Sequence, residues 1–567
     1  MLHPFRRPVR AACIAGLAVA FALPASAQRL VVTGGPIWTV DAARPQAEAF
    51  AAEDGRIVAV GDLADVAAGR AGWPRLDLDG QTVVPGFIDA HGHLMNLGLS
   101  LLQVDLVGAA SLDETLGRIA AFAAELPPGA WVQGRGWDQT DWPAAPDGSH
   151  PFPTRADLDR ILPDRPVFVK RVDGHAAWAN TAALRAAGVD PDAPAPPDLP
   201  DGRFLQDAEG RPTGVFIDAA DDLVEAAIPP RTTAETEAAL ERALAETARL
   251  GLTGVHDVGL SAGVTPEVLA LYERAIAADR FPVRVHTMWD ADAVAEACAS
   301  GAAPRVHPSG RLQARALKLY SDGALGSRGA ALLADYADDP GNRGLLFRTD
   351  AELQALVEAA MRCGLQVNTH AIGDRGNRSV LDVYARALAA TGGGPGRHRV
   401  EHAQVLSLDD VPRFAELGVI ASVQPTHATS DMPWAEARVG SERLRGAYAW
   451  RRLVDAGARL ALGSDFPVER PDPLAGIHAA VTRQDADGEP LGGWTGNQVL
   501  TRAEALRGFT LDAAYAGFLE GEVGSLEVGK RADFVVLSGD LMRVPAEEIL
   551  SLRVVATYLD GEAIYRE

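Results

Sequence analysis

The chain has 567 residues, of which 47% are apolar and 23% are charged, the balance of an ordinary water-soluble globular protein. This length is enough for more than one domain and for a large core that needs no disulfides. The formal net charge of −23 argues against nucleic acids and anionic membranes as partners, because both would repel an acidic protein.

The N-terminus has the pattern of an export signal. Three arginines lie among the first ten residues, and an apolar stretch over 11–23 follows that is short for a membrane span. Ala25-Ser26-Ala27 then matches the small-x-small cleavage pattern. We predict that residues 1–27 are a signal peptide and that the mature protein is periplasmic or secreted, with no stable membrane anchor. An uncleaved N-terminal anchor is the alternative.

Short β-like segments separated by turns occupy both ends of the mature chain. Residues 28–84 alternate apolar and polar side chains between Gly and Asp turns. Residues 506–567 follow the same pattern after one last barrel helix, and Asp560-Gly561 is typical of a hairpin turn. Two β-rich ends around an α/β middle predict a small β-sandwich domain formed from both termini.

Residues 85–505 alternate helical stretches with short apolar strands, which is the pattern of βα repeats around a parallel sheet. The predicted strands carry polar residues at their C-terminal ends and cover 83–93, 253–258, 283–289, 314–322, 366–370, 398–402, 419–424 and 459–465. Eight such strands favour an α/β fold, a (β/α)8 TIM-like barrel. The excess length lies at about 127–231, which we interpret as an inserted subdomain or lid.

Two histidines end the first predicted barrel strand, in the sequence Pro-Gly-Phe-Ile-Asp-Ala-His-Gly-His over 85–93. Side chains two residues apart point to the same side of a strand, so His91 and His93 can bind one metal ion together. A capping or core role for both histidines is the alternative.

Polar residues also end four other predicted strands. His370 ends the fifth strand, His402 the sixth and Asp465 the eighth. Lys318 lies within the apolar fourth strand, where an ammonium group is costly to bury. Each has a structural alternative: a satisfied core histidine, a helix cap for Asp465, or a lysine that reaches solvent. Because a barrel builds its active site at the C-terminal ends of its strands, these residues together predict a metal centre.

Several segments resemble the amidohydrolase superfamily. Residues 85–93 are similar to its first-strand motif, 251–255 to its third barrel segment, and 524–534 to the segment that returns to the β domain. Residues 134–139, 173–180 and 318–327 are similar to amidohydrolase family 3, the YtcJ-like proteins, which include N-substituted formamide deformylases. The resemblance covers nearly all of the mature chain.

The resemblance implies a ligand set. His91 and His93 would bind one divalent metal ion, and His370 and His402 would bind a second ion or complete a single site. Lys318 matches the position of a carboxylated lysine that would bridge two ions. Asp465 matches a family aspartate that is both a ligand and a proton acceptor. Histidine and carboxylate ligands suit zinc, with iron or manganese as alternatives.

A divalent ion lowers the pKa of bound water to about 7 and makes hydroxide available at neutral pH. Asp465 would take the proton of that water and return it to the leaving group. We therefore predict a metal-dependent hydrolase that cleaves the carbon–nitrogen bond of a small non-peptide amide, N-formyl or cyclic amide substrate. A metal-dependent esterase or lactonase is one alternative. The other is a non-catalytic periplasmic binding or regulatory protein, against which the complete ligand set argues.

Five further residues are candidates for contact with a small-molecule substrate. They are His175 and Trp137 in the insertion, Asp322 and Arg328 around the loop after Lys318, and His427 after the seventh strand. The alternatives are a structural hydrogen bond for His175, a core position for Trp137, solvation for Arg328 and a loop position for His427.

A homodimer is compatible with the sequence, which does not fix the oligomeric state. Cys298 and Cys363 lie in alanine-rich, helix-like stretches, and we predict two buried free thiols, with one disulfide as the alternative.

Overall fold

The computed structural model describes residues 28–172, 176–198, 202–260, 263–392 and 396–567. The predicted signal peptide lies outside these ranges. Within them, none of the helices combines the length and the hydropathy that crossing a lipid bilayer requires.

The strands of the described ranges are, in chain order, β1 (Arg29–Trp38), β2 (Gln46–Glu53), β3 (Arg56–Gly61), β4 (Arg75–Asp77), β5 (Thr82–Pro85), β6 (Phe87–Gly92), β7 (Val104–Asp105), β8 (Val132–Trp137), β9 (Val167–Arg171), β10 (Ala176–Ala179), β11 (Gly202–Gln206), β12 (Pro212–Asp218), β13 (Leu252–Asp257), β14 (Arg284–Trp289), β15 (Arg305–Val306), β16 (Leu312–Tyr320), β17 (Gln366–Ala371), β18 (Arg399–His402), β19 (Ile420–Val423), β20 (Leu460–Leu462), β21 (Phe534–Leu537), β22 (Val554–Leu559) and β23 (Glu562–Arg566).

The α-helices of the same ranges are α1 (Leu63–Ala67), α2 (Leu94–Ser100), α3 (Leu112–Glu125), α4 (Arg155–Asp159), α5 (Thr181–Ala186), α6 (Asp222–Glu225), α7 (Thr233–Arg249), α8 (Pro266–Ala277), α9 (Ala291–Ala299), α10 (Asp350–Arg362), α11 (Asp374–Thr391), α12 (Val411–Leu417), α13 (Pro425–Asp431), α14 (Ala435–Leu444), α15 (Trp450–Asp455), α16 (Pro473–Thr482), α17 (Arg502–Gly508) and α18 (Leu511–Ala516). Capping boxes begin several of them. Thr232 and Glu235 at the start of α7, and Thr349 and Glu352 at the start of α10, exchange side-chain and backbone hydrogen bonds.

Within the described residues, eight parallel strands form the barrel, hydrogen-bonded in the order β20-β19-β18-β17-β16-β14-β13-β6. A β-bridge between Gly92, at the end of β6, and Phe466, just after β20, closes the barrel. The amide of Asp465 donates to the carbonyl of His91 at 2.7 Å, and the amide of His93 donates to the carbonyl of Phe466 at 2.8 Å. The predicted (β/α)8 barrel is confirmed, and its first and last strands meet where the candidate ligands lie.

Strands from both termini form one mixed sheet, in the order β23-β22-β21-β5-β1-β2-β3, with β4 paired to β1. Strands β2 and β21 are three places apart in this order, which would separate them by about 14 Å in a flat sheet. The rings of Phe50 on β2 and Phe534 on β21 are nevertheless 5.2 Å apart. The sheet therefore curls around its own apolar core, and the predicted domain built from both termini is confirmed.

The inserted subdomain has its own sheet, in the order β11-β12-β10-β9-β8-β7, and its own apolar core. Strand β7 pairs with β8 in this sheet. The subdomain therefore begins before residue 127, which was the approximate boundary expected from the sequence. Strand β12 ends at Asp218, and α7 then leads into the second barrel strand, β13.

Cys298 and Cys363 form a disulfide, so the prediction of two free thiols is wrong. Cys298 lies near the end of α9, Cys363 caps the end of α10, and their Cα atoms are 5.9 Å apart. Both residues are partly buried rather than fully buried as predicted, and the helical context held no information on the approach of two helix ends 65 residues apart.

Candidate metal centre

Several of the predicted ligands meet at the C-terminal mouth of the barrel. His93 Nε2 lies 3.1 Å from Asp465 Oδ1, and His91 Nε2 lies 3.4 Å from the same oxygen. One ligand atom each of His91, His402 and Asp465 lie within 4.8 Å of one another. Tetrahedral ligands at about 2.1 Å from an ion are about 3.4 Å apart, so this donor set fits a metal ion of zinc size.

A hydrogen bond at Nδ1 fixes the orientation of each of three histidine rings. In each ring Nδ1 faces an acceptor and so carries the hydrogen, which leaves the Nε2 lone pair for a metal ion. The contacts are His91 Nδ1 to Glu401 Oε2 at 2.5 Å, His93 Nδ1 to the carbonyl of Gly259 at 2.7 Å, and His402 Nδ1 to Gln424 Oε1 at 2.8 Å.

His370 joins the cluster from the neighbouring strand β17. Its ring centroid is 4.6 Å from that of His402. Its Nε2 lies 3.5 Å from the carbonyl of Gly323 and 3.6 Å from Asp322 Oδ1. His370 therefore contacts the protein through Nε2 and offers Nδ1 to a metal ion. The other three histidines do the opposite: they contact the protein through Nδ1 and offer Nε2.

Lys318 is buried in β16, with 1% of its surface exposed, and its Nζ lies 4.6 Å from the ring centroid of Tyr320. Burial lowers the pKa of Lys318 to about 8, although the carboxylates of Glu401 and Asp465 oppose this shift. The ring of Tyr320 is in turn 4.9 Å from that of His370. Alongside burial, the charge of Lys318 acts to lower the pKa of both His91 and His370, so Lys318 lies within electrostatic reach of the cluster, and its role as a carboxylated ligand stays a prediction.

The charge state of the cluster suits metal binding. Burial, assisted by the charge of Lys318, lowers the pKa of His370 to about 3, and burial also holds the pKa of His402 well below its usual value. Burial alone would raise the pKa of Asp465, but His91 and His93, whose Nε2 atoms face its Oδ1, hold it well below its usual value. Without a metal ion a proton is shared at this contact, and although burial opposes it, Glu401 and Asp465 raise the pKa of His91. A bound ion would take the place of that proton. Neutral imidazoles and an ionised carboxylate are the forms that bind divalent ions.

Two of the ligands have left-handed backbone conformations, with φ +72° at His402 and +59° at Asp465. Such values are uncommon for residues other than glycine and concentrate at functional sites. Neighbouring side chains of a regular strand point to opposite faces. The conformation at the end of β18 breaks this alternation, so that Glu401 and His402 both reach the cluster.

The substrate-contact candidates divide between the site and the rest of the molecule. His427, half-buried at the start of α13, stacks on His402 with ring centroids 5.9 Å apart, and its Nε2 lies 3.8 Å from Asp465 Oδ2. His427 therefore belongs to the cluster. His175 lies outside the described residues.

The other three candidates make structural contacts within the protein, and their contact with a substrate stays a prediction. Asp322 is fully buried and accepts hydrogen bonds from the backbone amides of residues 331, 372 and 373 at 2.8–3.0 Å. Arg328 forms two hydrogen bonds with Asp338 at the surface. The ring of Trp137 is fully buried in the core of the insert, where its Nε1 donates to the carbonyl of Val169.

Two charged residues of the site were missed from the sequence. Glu401 contacts His91, and Arg399 pairs with Glu401 through two hydrogen bonds. Both lie in β18, whose four residues are Arg, Val, Glu and His, so the strand has no apolar run in which a buried charge would stand out as Lys318 does. Only the fully buried position of the strand in the barrel marks the two charges as costly and therefore as candidates.

Comparison with known proteins identifies the family. Residues 76–565 match the family model Amidohydro_3, described as amidohydrolase family. The chain belongs to the amidohydrolase family. The putative amidohydrolase YtcJ of Bacillus subtilis (strain 168) is 34% identical over 540 residues, which cover 94% of this chain and 99% of that protein.

Two further relatives extend the comparison. The N-substituted formamide deformylase of Arthrobacter pascens is 31% identical over 552 residues, which cover 94% of this amidohydrolase and 98% of that enzyme. The crystal structure of an uncharacterized metal-dependent hydrolase from Pyrococcus horikoshii OT3 has a TM-score of 0.74 at 29% identity, covering 91% of this chain and 99% of that one. Together with the buried cluster of His91, His402 and Asp465, these findings make this amidohydrolase a metal-dependent hydrolase.

Proposed function

We propose that this amidohydrolase cleaves the carbon–nitrogen bond of a small non-peptide amide, with an N-formyl or cyclic amide as substrate and Asp465 as the proton shuttle. The observation that carries the proposal is the position of one Asp465 oxygen between His91 Nε2 at 3.4 Å and His93 Nε2 at 3.1 Å. The similarity to N-substituted formamide deformylase over nearly the whole length of both chains supports the class of bond.

The metal ligands follow from the donor atoms. His91, His93 and Asp465 would hold one divalent ion, His370 and His402 would hold a second or complete a single site, and a carboxylated Lys318 would bind both ions. The ligand atoms of His91, His402 and Asp465, within 4.8 Å of one another, also fit a single site. Imidazole and carboxylate donors suit zinc, and iron or manganese would also accept them. When bound, the metal supplies a water of lowered pKa and polarises the carbonyl of the substrate.

Asp465 performs the proton transfers. Its carboxylate is ionised at neutral pH, because the neighbouring His91 and His93 hold its pKa well below its usual value despite burial. It accepts the proton of the attacking water and returns it to the leaving nitrogen. His427 lies 3.8 Å from its second oxygen and is placed to orient the substrate on that side.

Export is a second part of the proposal. The signal-like residues 1–27 support it, and so does the disulfide between Cys298 and Cys363, because disulfides persist mainly in oxidising compartments. N-terminal sequencing of the protein from its native host, with Gln28 as the expected first residue, tests this part.

The test of the activity combines metal content with one variant. Purified mature protein is assayed for bound metal, and wild type, Asp465→Asn and the surface control Asp338→Asn are screened on N-formyl amides, cyclic amides and esters. We expect bound transition metal, amide hydrolysis, and a loss of about 10²–10⁴-fold in Asp465→Asn alone. Two metal equivalents would support the Lys318 bridge, and one equivalent would remove it. Absence of metal after growth in metal-replete medium, or full activity of Asp465→Asn, would contradict the proposal.

A further inference from the structure

A buried arginine lies beneath the metal centre, inside the barrel. Arg399 begins β18, opposite Asn368 on β17 and Ile420 on β19, and its side chain has no exposed surface. Burying a guanidinium group is costly, and replacing a buried ion pair by well-packed apolar residues is often neutral or stabilising. The presence of Arg399 in the barrel interior is therefore not explained by the stability of the fold.

Arg399 binds Glu401 in a fixed, two-point geometry. Its Nε lies 2.7 Å from Glu401 Oε1, and its Nη2 lies 2.8 Å from Glu401 Oε2. The planar guanidinium matches a carboxylate in this way, and a lysine cannot, because its ammonium group is a single point charge. The plane and the position of the Glu401 carboxylate are thus set by Arg399.

Three other strands hold Arg399 in place. Its Nη2 also donates to the carbonyl of Ala90 on β6 at 2.5 Å and to Ser422 Oγ on β19 at 2.8 Å. Its Nη1 donates to His256 Nδ1 on β13 at 2.7 Å. The position of Arg399 is therefore fixed by both sides of the barrel rather than by its own strand alone.

The same carboxylate oxygen of Glu401 that accepts from Arg399 Nη2 also accepts from His91 Nδ1, at 2.5 Å. This contact puts the hydrogen of His91 on Nδ1 and directs its Nε2 towards Asp465. We propose that Arg399 is a positioning residue of the metal centre, which fixes Glu401 and through it the ring orientation and tautomer of His91. This inference rests on the proposed metal site.

The test compares two buried arginines of the barrel. Arg284 on β14 is also almost fully buried and binds Asp533 with Nε and Nη2 at 2.7 and 3.0 Å, but it contacts the β domain instead of the site. Removing either arginine leaves a buried carboxylate without its partner, so Arg399→Met and Arg284→Met are matched in their cost to folding. Only the first is expected to change metal binding.

Zinc affinity is measured by competition with a chromophoric chelator for wild type, Arg399→Met, Arg399→Lys and Arg284→Met, together with urea unfolding of the metal-free proteins. We expect the zinc Kd to rise about 10–100-fold in Arg399→Met, to recover partly in Arg399→Lys, and to stay within about twofold of wild type in Arg284→Met. Wild-type affinity in Arg399→Met, or an equal loss in Arg284→Met, would overturn the inference.

Glu401→Gln gives a second route if Arg399→Met does not fold. Because Arg399 and Glu401 act as one unit, we expect Arg399→Lys to add little to the zinc affinity lost in Glu401→Gln alone. Losses that multiply in the double variant would overturn the inference. Wild-type protein that binds neither zinc, iron nor manganese would instead contradict the proposed metal centre itself. The failure of the metal centre can thus be told apart from the failure of the role inferred for Arg399.

Discussion

Asp89 on the first barrel strand and Ser464 after the last are joined by two hydrogen bonds. Asp89 Oδ2 accepts from Ser464 Oγ at 2.6 Å, and Asp89 Oδ1 accepts from the amide of Ser464 at 3.1 Å. The amide of His91 also donates to Asp89 Oδ1, at 3.0 Å. The turn that carries Asp465 is therefore fastened to the strand that carries His91.

We expect Ser464→Ala to lower kcat about 10-fold, because the left-handed turn at Asp465 loses its side-chain link to Asp89. The free energy of unfolding should fall by about 1–3 kcal/mol, the cost of leaving a buried acceptor without its partner. Steady-state kinetics and urea unfolding measure the two effects. Ser379→Ala is the control for kcat, since Ser379 Oγ donates to Asp350 Oδ1 at the same 2.6 Å, away from the site; its cost in unfolding free energy should be smaller, because Asp350 is half exposed. Equal kcat in the two variants would contradict the prediction.

Metal removal should lower both activity and thermal stability. The proposed ligands come from β6, β17, β18 and the turn after β20, so a bound ion would join separate strands of the barrel. An ion at 1,000 times its Kd stabilises the folded state by about 4 kcal/mol, and a chelator removes that contribution. Melting curves with and without chelator, followed by addition of zinc, measure the effect. We expect His402→Ala to show a much smaller shift, and identical melting of chelated and untreated wild type would contradict the prediction.

Much of the fold could be predicted from the sequence because its signals are local. The barrel strands are short apolar segments that alternate with helices, and their polar ends identified His91, His93, His370, His402 and Asp465 as a group. A polar residue at the end of one strand can have a structural or a functional role. Several polar residues at the C-terminal ends of parallel barrel strands lie close together, which favours a shared functional site.

The features that could not be predicted from the sequence depend on contacts between residues far apart in the chain. Glu401 lies 310 positions from His91, and the pairing of Cys298 with Cys363 depends on how two helix ends pack. Trp137 has the same sequence signature whether it lines a pocket or fills a core, and only the packing of the insert decides. The left-handed backbone at His402 breaks the alternation of side chains at the end of β18, and no local pattern of residues indicated that Glu401 and His402 would both reach the cluster.

His427 should act on the substrate rather than on the metal. Its Nε2 faces Asp465 Oδ2 at 3.8 Å, whereas Asp465 Oδ1 faces His91 and His93. We expect His427→Ala to keep the wild-type metal content and to lower kcat/KM about 10–100-fold, the size of effect of one positioning group. Metal analysis and steady-state kinetics of the same preparation measure both quantities. His307→Ala is the control, because His307 is a half-buried histidine outside the cluster that bonds to Ser309. Loss of a metal equivalent in His427→Ala would show that His427 is a ligand instead.

The disulfide should stabilise the fold without affecting the chemistry. Cys298 and Cys363 are 65 residues apart, and closing a loop of this size restricts the unfolded chain by about 4 kcal/mol in the chain-entropy model. We expect the unfolded mature protein to show no free thiol without reductant, and reductant to lower the urea midpoint of wild type. The double variant Cys298→Ser/Cys363→Ser should have the lowered midpoint in both conditions and wild-type kcat/KM, because both cysteines lie on helices outside the barrel mouth. Two titratable thiols in the untreated wild-type protein, with a midpoint that reductant does not change, would show that the pair is not bonded.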